Sequence, residues 1–242
     1  MTKINAVVFD FIGTLTELTA YSLENAKDKM LKSLVESGFD VHRESFLKAY
    51  DRAHEKYREV RYGQFIEVTN AVWVSEALNL LGYDTTPQDE RVKTAVNVFF
   101  GDYLRALRLR PSAKATLQKL SQNHKLAIIS NYTYAPVIYA GLRKLGINDF
   151  FSVVVVSEAV GSRKPGSNIF REALKRLRAN ADEAIYVGDT PLEDIQGAKS
   201  ADMKTVFIPS QFNSLTDMQR APQKPDYIIE TLSDLLEILN AQ

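Results

Sequence analysis

The sequence contains no cysteine, which excludes disulfide bonds and thiolate metal sites. It has no excess of charge of either sign, because 30 basic residues balance 30 acidic ones. A protein that binds nucleic acid through phosphate contacts usually carries a basic excess, so we expect no nucleic-acid partner. No apolar run approaches the roughly 18 residues of a membrane span, and Asp10 ends the first apolar run too early for a secretory signal peptide. We therefore expect a cytoplasmic protein with no membrane partner.

What the sequence does contain is a series of short apolar runs rich in valine and isoleucine, which are typical of buried parallel strands. They span residues 6–11, 125–131, 151–157, 183–189 and 204–209, with a shorter candidate at 227–229. Helical patterns lie between the later runs, at residues 112–123, 134–145, 167–179 and 191–200. This alternation predicts right-handed βαβ units, and therefore an α/β fold with a doubly wound, Rossmann-like parallel sheet.

Residues 18–104 show helical periodicity almost throughout and no convincing strand. Candidate helices cover residues 20–37, 43–61, 65–81 and 88–104. We interpret this stretch as a helical-bundle cap inserted after the first strand, with hinges near residues 16–20 and 105–111. The predicted domains are then an α/β core of residues 1–17 and 105–242 and a cap of residues 18–104. A helical crossover without a lid role is the alternative interpretation.

Polar residues follow the predicted strands at their carboxyl ends, where open α/β sheets bind ligands. Asp10 ends the first strand, Ser130 and Asn131 end the second, Lys164 follows the third, and Asp189 ends the fourth. A carboxylate can act as a nucleophile or bind a metal, and hydroxyl, amide and ammonium groups can hold the oxygens of a phosphoryl group. Each residue alone has a structural explanation, such as helix capping or a surface charge. Their convergence on one edge of one sheet favours a functional site.

Four motifs that carry these residues resemble those of the haloacid dehalogenase (HAD) superfamily, in the subfamily with a helical cap after the first strand. They are FDFIGTLT at residues 9–16, IISN at 128–131, RKP at 163–165 and VGDTPLED at 187–194. Their order and the position of the cap also match, so the resemblance covers essentially the whole chain. It implies a HAD-like hydrolase of the phosphatase type that uses Mg²⁺.

The resemblance also implies a role for each matching position. Asp10 would be the nucleophile that forms a covalent aspartyl intermediate, Ser130 would hold the transferring group, and Lys164 would balance charge. The implied metal-site residues are Asp10, Ile12 through its backbone carbonyl, Asp189 and, as a support of the metal shell, Asp194. The implied substrate-binding residues are Gly13, Thr14 and Asn131.

Ile12 departs from the family pattern, because HAD phosphatases place a second aspartate at this position. That aspartate protonates the leaving oxygen and then activates water, and isoleucine can do neither. A positioned acid–base group typically contributes about 10² to 10⁴ in rate. We therefore expect a monomer or homodimer with slow or altered turnover of a small phosphorylated or otherwise anionic metabolite. Glu17 and Glu158 are candidates for a substituting acid, although hinge and loop roles explain both.

Other interpretations of the same residues stay open. The chain could be a binding or regulatory protein on a weakened enzyme scaffold, which the missing acid favours and the retained acidic and basic site residues oppose. Haloacid dehalogenases place a tyrosine where this chain has Ile12, use no metal and lack the intact fourth motif. Phosphonoacetaldehyde hydrolases place an alanine there, keep magnesium and use a cap lysine.

The cap sequence marks no residue firmly as a determinant of specificity. One group of side chains could contact an anionic substrate, although such groups more often form a solvated helix face: Arg52, His54, Arg58, Arg61 and Tyr62. Trp73 and its apolar neighbours are interpreted as cap core rather than as a binding platform.

Overall fold

The computed structural model describes residues 3–240, and its centre is a sheet of six parallel strands. The strands of the chain are β1 (Ala6–Phe9), β2 (Thr16–Leu18), β3 (Leu107–Leu109), β4 (Lys125–Ser130), β5 (Val153–Val156), β6 (Ala184–Gly188), β7 (Lys204–Phe207) and β8 (Tyr227–Ile228). The six-stranded sheet has the order β5-β4-β1-β6-β7-β8, with every neighbouring pair parallel. Every predicted strand is present, including the short sixth one. This confirms the α/β fold with a doubly wound parallel sheet.

Helices cover both faces of the sheet and fill the region between β2 and β3. They are α1 (Leu23–Glu36), α2 (Arg43–Lys56), α3 (Arg58–Tyr62), α4 (Asn70–Leu80), α5 (Glu90–Ala106), α6 (Ala113–Leu120), α7 (Ala135–Lys144), α8 (Ser157–Val160), α9 (Ser167–Leu177), α10 (Gly197–Lys199), α11 (Leu215–Arg220) and α12 (Asp234–Asn240). The predicted helix at 191–200 begins as a π-helical turn, Pro191–Gln196, and continues as α10. Within residues 3–240, no helix combines the length and the apolar character needed to cross a membrane.

The central strands are buried on both faces because successive side chains enter two different apolar layers. Val7 and Phe9 of β1 belong to the layer that contains α6, α7 and α12. Ala6 and Val8 belong to the opposite layer, which contains α9. Two buried faces explain why the strands read as continuous apolar runs rather than as an alternating pattern.

The region between β2 and β3 is a helical bundle, in which α1 packs on α5 and α2 packs on α4. The second predicted helix is broken at Tyr57 into α2 and α3, and the third begins at Asn70 rather than at residue 65. The chain before Asn70 pairs with a core loop instead, since the N–H of Glu67 donates to Gly161 O and the N–H of Arg163 donates to Phe65 O. These backbone hydrogen bonds replace the ones that a longer helix would have made.

The strands β2 and β3 form a separate antiparallel ribbon where the chain enters and leaves the bundle. Thr16 pairs with Leu109, and Leu18 pairs with Leu107. We expected hinges and no strand in these segments, so the ribbon is a correction. Each strand has only three residues, which is too short for a period of two to stand out. The division of the chain into a core and a cap stays a prediction.

Candidate active site

The carboxyl ends of β1, β4 and β6 bring predicted site residues together at the middle of the sheet. The strand register pairs Phe9 with residues of both β4 and β6. Asp10 follows Phe9, and its backbone N–H donates to Val187 O at 2.9 Å. Ser130 is the last residue of β4 and Asp189 follows β6, and all three site residues are buried. The carboxyl ends of neighbouring parallel strands therefore bring these three residues to one edge of the sheet.

Lys164 lies at the centre of the cluster and is only 2% exposed. Its Nζ donates to Asp10 Oδ1 at 2.7 Å and to Asp194 Oδ1 at 2.6 Å. Burial lowers the pKa of Lys164, but the two carboxylates outweigh burial and hold this pKa well above its ordinary value. The Asn131 amide fixes the backbone of Lys164, because Asn131 Oδ1 accepts from Lys164 N at 2.8 Å and Asn131 Nδ2 donates to Lys164 O at 2.9 Å. Lys164 is therefore an interior cation, and Asn131 positions it.

Both carboxylate oxygens of Asp194 are occupied by donors. Oδ2 accepts from the N–H of Asp189 at 3.1 Å and from the N–H of Thr190 at 2.9 Å. Oδ1 accepts from Lys164 and from the Tyr186 hydroxyl at 2.9 Å. Asp194 thus orients the loop after β6, which suits a supporting role better than a direct metal ligand. Sequence reasoning missed Tyr186, because it lies inside an apolar strand and resembles a core residue.

Asp189 is held by three side chains. Its Oδ2 accepts from Ser210 Oγ at 2.6 Å and from Asn213 Nδ2 at 3.3 Å, and its Oδ1 accepts from Thr14 Oγ1 at 3.3 Å. Burial, and then the charge of Asp194, raise the pKa of Asp189 to about 6. Sequence reasoning missed Ser210 and Asn213, although their place beyond the carboxyl end of β7 was a usable signal.

Gly13 allows the loop after β1 to pass close to Asp189. The N–H of Gly13 donates to Thr16 O at 2.9 Å, and its φ of +95° is a conformation that favours glycine. A Cβ at this position would overlap the Asp189 carboxylate. Arg110 Nη1 donates to Gly13 O at 2.8 Å, which ties this loop to the segment after β3. Sequence reasoning missed Arg110, because nothing local shows that the two segments meet.

The two carboxylate oxygens of Asp10 differ in their surroundings. Oδ1 is bound by Lys164, whereas Oδ2 is buried and has no hydrogen-bond partner among residues 3–240. Burial raises the pKa of Asp10, and Lys164 opposes this rise while Asp194 and Asp189 add to it. One oxygen from each of the three aspartates lies within 4.8 Å of the others. Three carboxylates, two of them paired with the Lys164 ammonium, form an oxygen-rich cluster that could hold a divalent cation.

A family model describing haloacid dehalogenase-like hydrolases matches residues 4–202. The chain belongs to this family. The matched range contains all four motifs and the cluster that they form, so the predicted family is confirmed.

Two relatives of this HAD-like hydrolase are named phosphatases. The ribulose-1,5-bisphosphate 5-phosphatase of Halopiger xanaduensis is 30% identical over 240 residues, which are 97% of this chain and 99% of that protein. The glyceraldehyde 3-phosphate phosphatase of Pyrococcus furiosus is 29% identical over 242 residues, which are 100% of this chain and 95% of that protein. Because both match along the whole chain, the predicted class of enzyme, a hydrolase of the phosphatase type, is confirmed.

A solved structure extends the likeness to the whole architecture. The 2-haloacid dehalogenase from Pseudomonas syringae pv. Tomato DC3000 superimposes with a TM-score of 0.72 at 27% sequence identity. The match covers 100% of this chain and 99% of that chain. The helical bundle and the sheet therefore belong to a known HAD-like arrangement.

Ile12 remains the exception in the site of this HAD-like hydrolase. Its side chain is half-buried and packs against the apolar core. Neither candidate for a substituting acid belongs to the cluster around Asp10. Glu17 is exposed on β2, and Glu158 Oε2 accepts from the N–H of Ala135 at 3.0 Å, at the start of α7. Glu17 therefore lies on a strand rather than in a hinge, and Glu158 lies in α8 and caps the start of α7 rather than standing in a solvated loop.

A cavity of about 420 Å³ lies between the helical bundle and the loop that follows β4. His54 and Arg61 line it, whereas Arg52 and Arg58 are exposed. Trp73 also lines the cavity, although it is only 5% exposed to solvent. The interpretation of Trp73 as cap core was therefore incomplete, because one side chain can pack in a core and form a cavity wall.

Proposed function

We propose that this chain is a magnesium-dependent phosphatase that attacks a phosphate ester through Asp10. The observation that carries the proposal is the unequal state of the Asp10 carboxylate: Lys164 holds Oδ1, and Oδ2 is buried without a partner in the described chain. A carboxylate oriented through one oxygen and unengaged at the other suits a nucleophile. The names of the two relatives, both phosphatases, support a phosphate ester as the class of substrate.

Magnesium fits the donor set of this site. Asp10, Asp189 and the backbone carbonyl of Ile12 would bind the ion. Asp194 would orient Asp189 through its hydrogen bonds to the backbone of the loop after β6. Bound magnesium supplies positive charge that offsets the phosphoryl oxygens and the carboxylates. The excess of acidic groups over Lys164 is the physical reason for expecting a cation here.

The protein's own groups then carry out two displacements. Asp10 Oδ2 forms a bond to phosphorus while the bond from phosphorus to the leaving oxygen breaks, and the leaving oxygen keeps the electron pair. Lys164 opposes the rise in the pKa of Asp10 that burial causes and holds Oδ1 in place, and Ser130 hydrogen-bonds the transferring group. In the second step a water oxygen bonds to phosphorus and loses its proton to solvent, the bond from phosphorus to Asp10 breaks, and the carboxylate is restored.

Ile12 limits both steps, because it can neither donate a proton to the leaving oxygen nor accept one from water. Loss of such a group typically costs about 10² to 10⁴ in rate. The first step recovers part of this loss when the leaving group is a weak base. The second step does not, so the aspartyl phosphate on Asp10 should accumulate during turnover.

Phosphate release from an aryl phosphate, with and without magnesium, tests the proposal. Asp10→Asn should abolish the release, because an amide is not a competent nucleophile here. Asp84→Asn, at an exposed position of the helical bundle, is the matched control and should leave it unchanged. Equal release from Asp10→Asn and the parent would overturn the assignment of the nucleophile.

Dehalogenation is a second candidate, because a 2-haloacid dehalogenase superimposes on the whole chain. An apolar residue at position 12 is compatible with transfer of an alkyl group. The retained Asp189 and Asp194 oppose it, since the resemblance implies that dehalogenases lack the intact fourth motif. Halide release from 2-chloropropionate without added magnesium, together with no phosphate release, would replace the phosphatase proposal with this one.

A further inference from the structure

The cavity described above is bordered by the loop that follows β4, although Asp10 itself is not a lining residue. Asn131, Tyr132 and Thr133 line it, and they follow β4, which lies beside the strand that ends at Asp10. Another lining residue is Tyr103, whose pKa is raised by burial and also by the charge of Asp10, so its phenol is within electrostatic reach of the nucleophile. A molecule whose phosphate meets Asp10 would therefore extend its leaving group into this cavity.

The wall of the cavity is aromatic. Seven of its fifteen lining residues are phenylalanine, tyrosine or tryptophan. Ring contacts fix their orientation: Tyr50 meets Trp73 edge to face with ring centroids 6.3 Å apart, and Tyr21 meets Tyr103 in the same way at 5.4 Å. A rigid aromatic wall favours a flat apolar ligand.

The charged side chains around the cavity offer little to a second anionic group. Lys27 is paired with Asp51 at 3.1 Å, and Arg61 is paired with the buried Glu67 at 3.0 Å. The pKa of His54 is lowered by burial and by the neighbouring Arg61, which favours the neutral ring. Each basic residue on the cavity wall, as far as the structure describes it, is thus either neutralised or uncharged. A bisphosphate or a phosphorylated acid would find no unpaired cation for its second charge.

Trp73, a residue of this aromatic wall, has an unpartnered polar group. Its indole Nε1–H is buried and has no hydrogen-bond partner in the described part of the chain. A buried donor without an acceptor costs about 1 to 3 kcal/mol, so such groups are normally satisfied in the functional state. A ligand that carries a hydrogen-bond acceptor on its ring system would satisfy it.

Ile12 points independently to the same kind of leaving group. An alkoxide is a strong base and needs a proton as it departs, and position 12 supplies none. An aryloxide is a much weaker base and departs without protonation by the protein. The site and the cavity therefore select the same chemistry through different residues.

We infer that the substrate is an aryl phosphate: the phosphate monoester of an uncharged aromatic hydroxyl whose ring system bears a hydrogen-bond acceptor. This inference rests on the proposed function, in which Asp10 accepts the phosphoryl group. The bond from phosphorus to the aryl oxygen breaks, the aryl oxygen leaves with the electron pair, and it takes its proton from solvent. Asp10 holds the phosphoryl group until water releases it as inorganic phosphate.

The first experiment compares substrates on the parent protein with magnesium. The expected KM for 4-acetylphenyl phosphate is about 10- to 100-fold lower than that for glycerol 3-phosphate, because the cavity removes an aromatic ring from water. Acetyl phosphate, which has a good leaving group and no ring, separates cavity binding from leaving-group ability. Its KM should be higher than that of the aryl ester, because both leaving groups depart readily and only the aryl ester places a ring in the cavity. An equal or lower KM for glycerol 3-phosphate than for the aryl ester would overturn the inference.

The second experiment isolates the indole N–H. Trp73→Phe should raise the KM for 4-acetylphenyl phosphate about 3- to 10-fold and leave that for 4-isopropylphenyl phosphate, which has no acceptor, within about twofold. Leu80→Ala, at an exposed position of α4, is the control and should change neither. If Trp73→Phe changes both KM values equally, or neither, the requirement for an acceptor is wrong.

A binding measurement separates failure of this inference from failure of the proposed function. Trp73 is the single tryptophan of the chain, so its fluorescence reports on the cavity even without turnover. In Asp10→Asn, 4-isopropylphenyl phosphate should change this fluorescence saturably and glycerol 3-phosphate should not. If no fluorescence change occurs while the parent still hydrolyses acetyl phosphate through Asp10, the aryl substrate is wrong and the phosphatase stands. If the parent hydrolyses no phosphate at all, both proposals fall.

Discussion

Placing an aspartate at position 12 should convert a slow phosphatase into a fast one, most of all for alkyl phosphates. The new carboxyl would protonate the leaving oxygen and then activate water, so Ile12→Asp should raise the turnover of glycerol 3-phosphate about 10²- to 10⁴-fold. That gain corresponds to roughly 3 to 5 kcal/mol of activation free energy. Turnover of an aryl phosphate should rise less when departure of the leaving group is rate-limiting, because an aryloxide needs no proton.

The substitution also has a cost in stability that the structure lets us bound. Ile12 is half-buried against the core, so its loss removes about 1 kcal/mol of apolar burial. A fourth carboxylate would join Asp10, Asp189 and Asp194, of which Asp10 and Asp194 are paired with Lys164. Its repulsion with them adds to the destabilisation. Magnesium should offset the repulsive part. The expected loss in free energy of unfolding is smaller than the expected gain in catalysis, so the variant should stay folded.

Steady-state phosphate release from glycerol 3-phosphate, with urea unfolding in parallel, measures both quantities. Ile12→Asn is the matched control, because it has nearly the same shape as the aspartate and no transferable proton. It should be similarly destabilised and should gain nothing in rate. A folded Ile12→Asp with unchanged turnover, or an equal gain in Ile12→Asn, would refute the idea that a missing acid–base group limits this enzyme.

Three further predictions follow from the site and the bundle. Magnesium at a hundredfold excess over its Kd should add about 2 to 3 kcal/mol to the free energy of unfolding of the parent, visible as a rise in Tm, and Asp189→Asn should show no such rise; equal shifts in both proteins would remove Asp189 from the metal site. Gly13→Ala should lower the free energy of unfolding in urea by about 1 to 3 kcal/mol and abolish phosphate release, because the φ of Gly13 is +95° and an added Cβ would overlap Asp189. Unchanged stability and activity in this variant would show that the loop is not tightly placed. The folded-state pKa of His54 lies below its ordinary value of 6.5, so the unfolded chain binds the proton more tightly and the free energy of unfolding should fall as the pH drops below about 6.5; His54→Gln should weaken this dependence, and a profile identical to the parent's would contradict the lowered pKa.

Sequence reasoning succeeded where one local signal decides the structure. Runs of valine and isoleucine predicted the strands because both faces of the sheet are buried. Asp10, Asp189 and Lys164 could be predicted because each follows a strand, and parallel strands end at a common edge. Their hydrogen bonds could not be predicted, since these depend on side-chain directions in the folded protein.

No local sequence pattern marks the site residues that sequence reasoning missed. The ring of Tyr186 packs in the hydrophobic core, so its position in the sequence resembles that of any core residue. Only its hydroxyl belongs to the polar network. Ser210, Asn213 and Arg110 come from loops that reach the site through long-range packing, which no local pattern shows. Trp73 illustrates the same limit, because apolar periodicity cannot distinguish a packed ring from one that also borders a cavity.

The ribbon of β2 and β3 has a consequence for how such a chain can fold and diversify. Strands β1 and β4 pair in the sheet although more than a hundred residues separate them, and closing so long a loop is slow even though its entropy grows only with the logarithm of length. The ribbon pairs Leu18 with Leu107 and so brings together the two ends of the helical bundle. Once the ribbon has formed, the connection between β1 and β4 is effectively as short as a hairpin. A different helical bundle inserted between β2 and β3 would leave the distance over which β1 and β4 must pair unchanged. A substitution that unpairs β2 from β3 would slow assembly of the six-stranded sheet without altering any of its own strands.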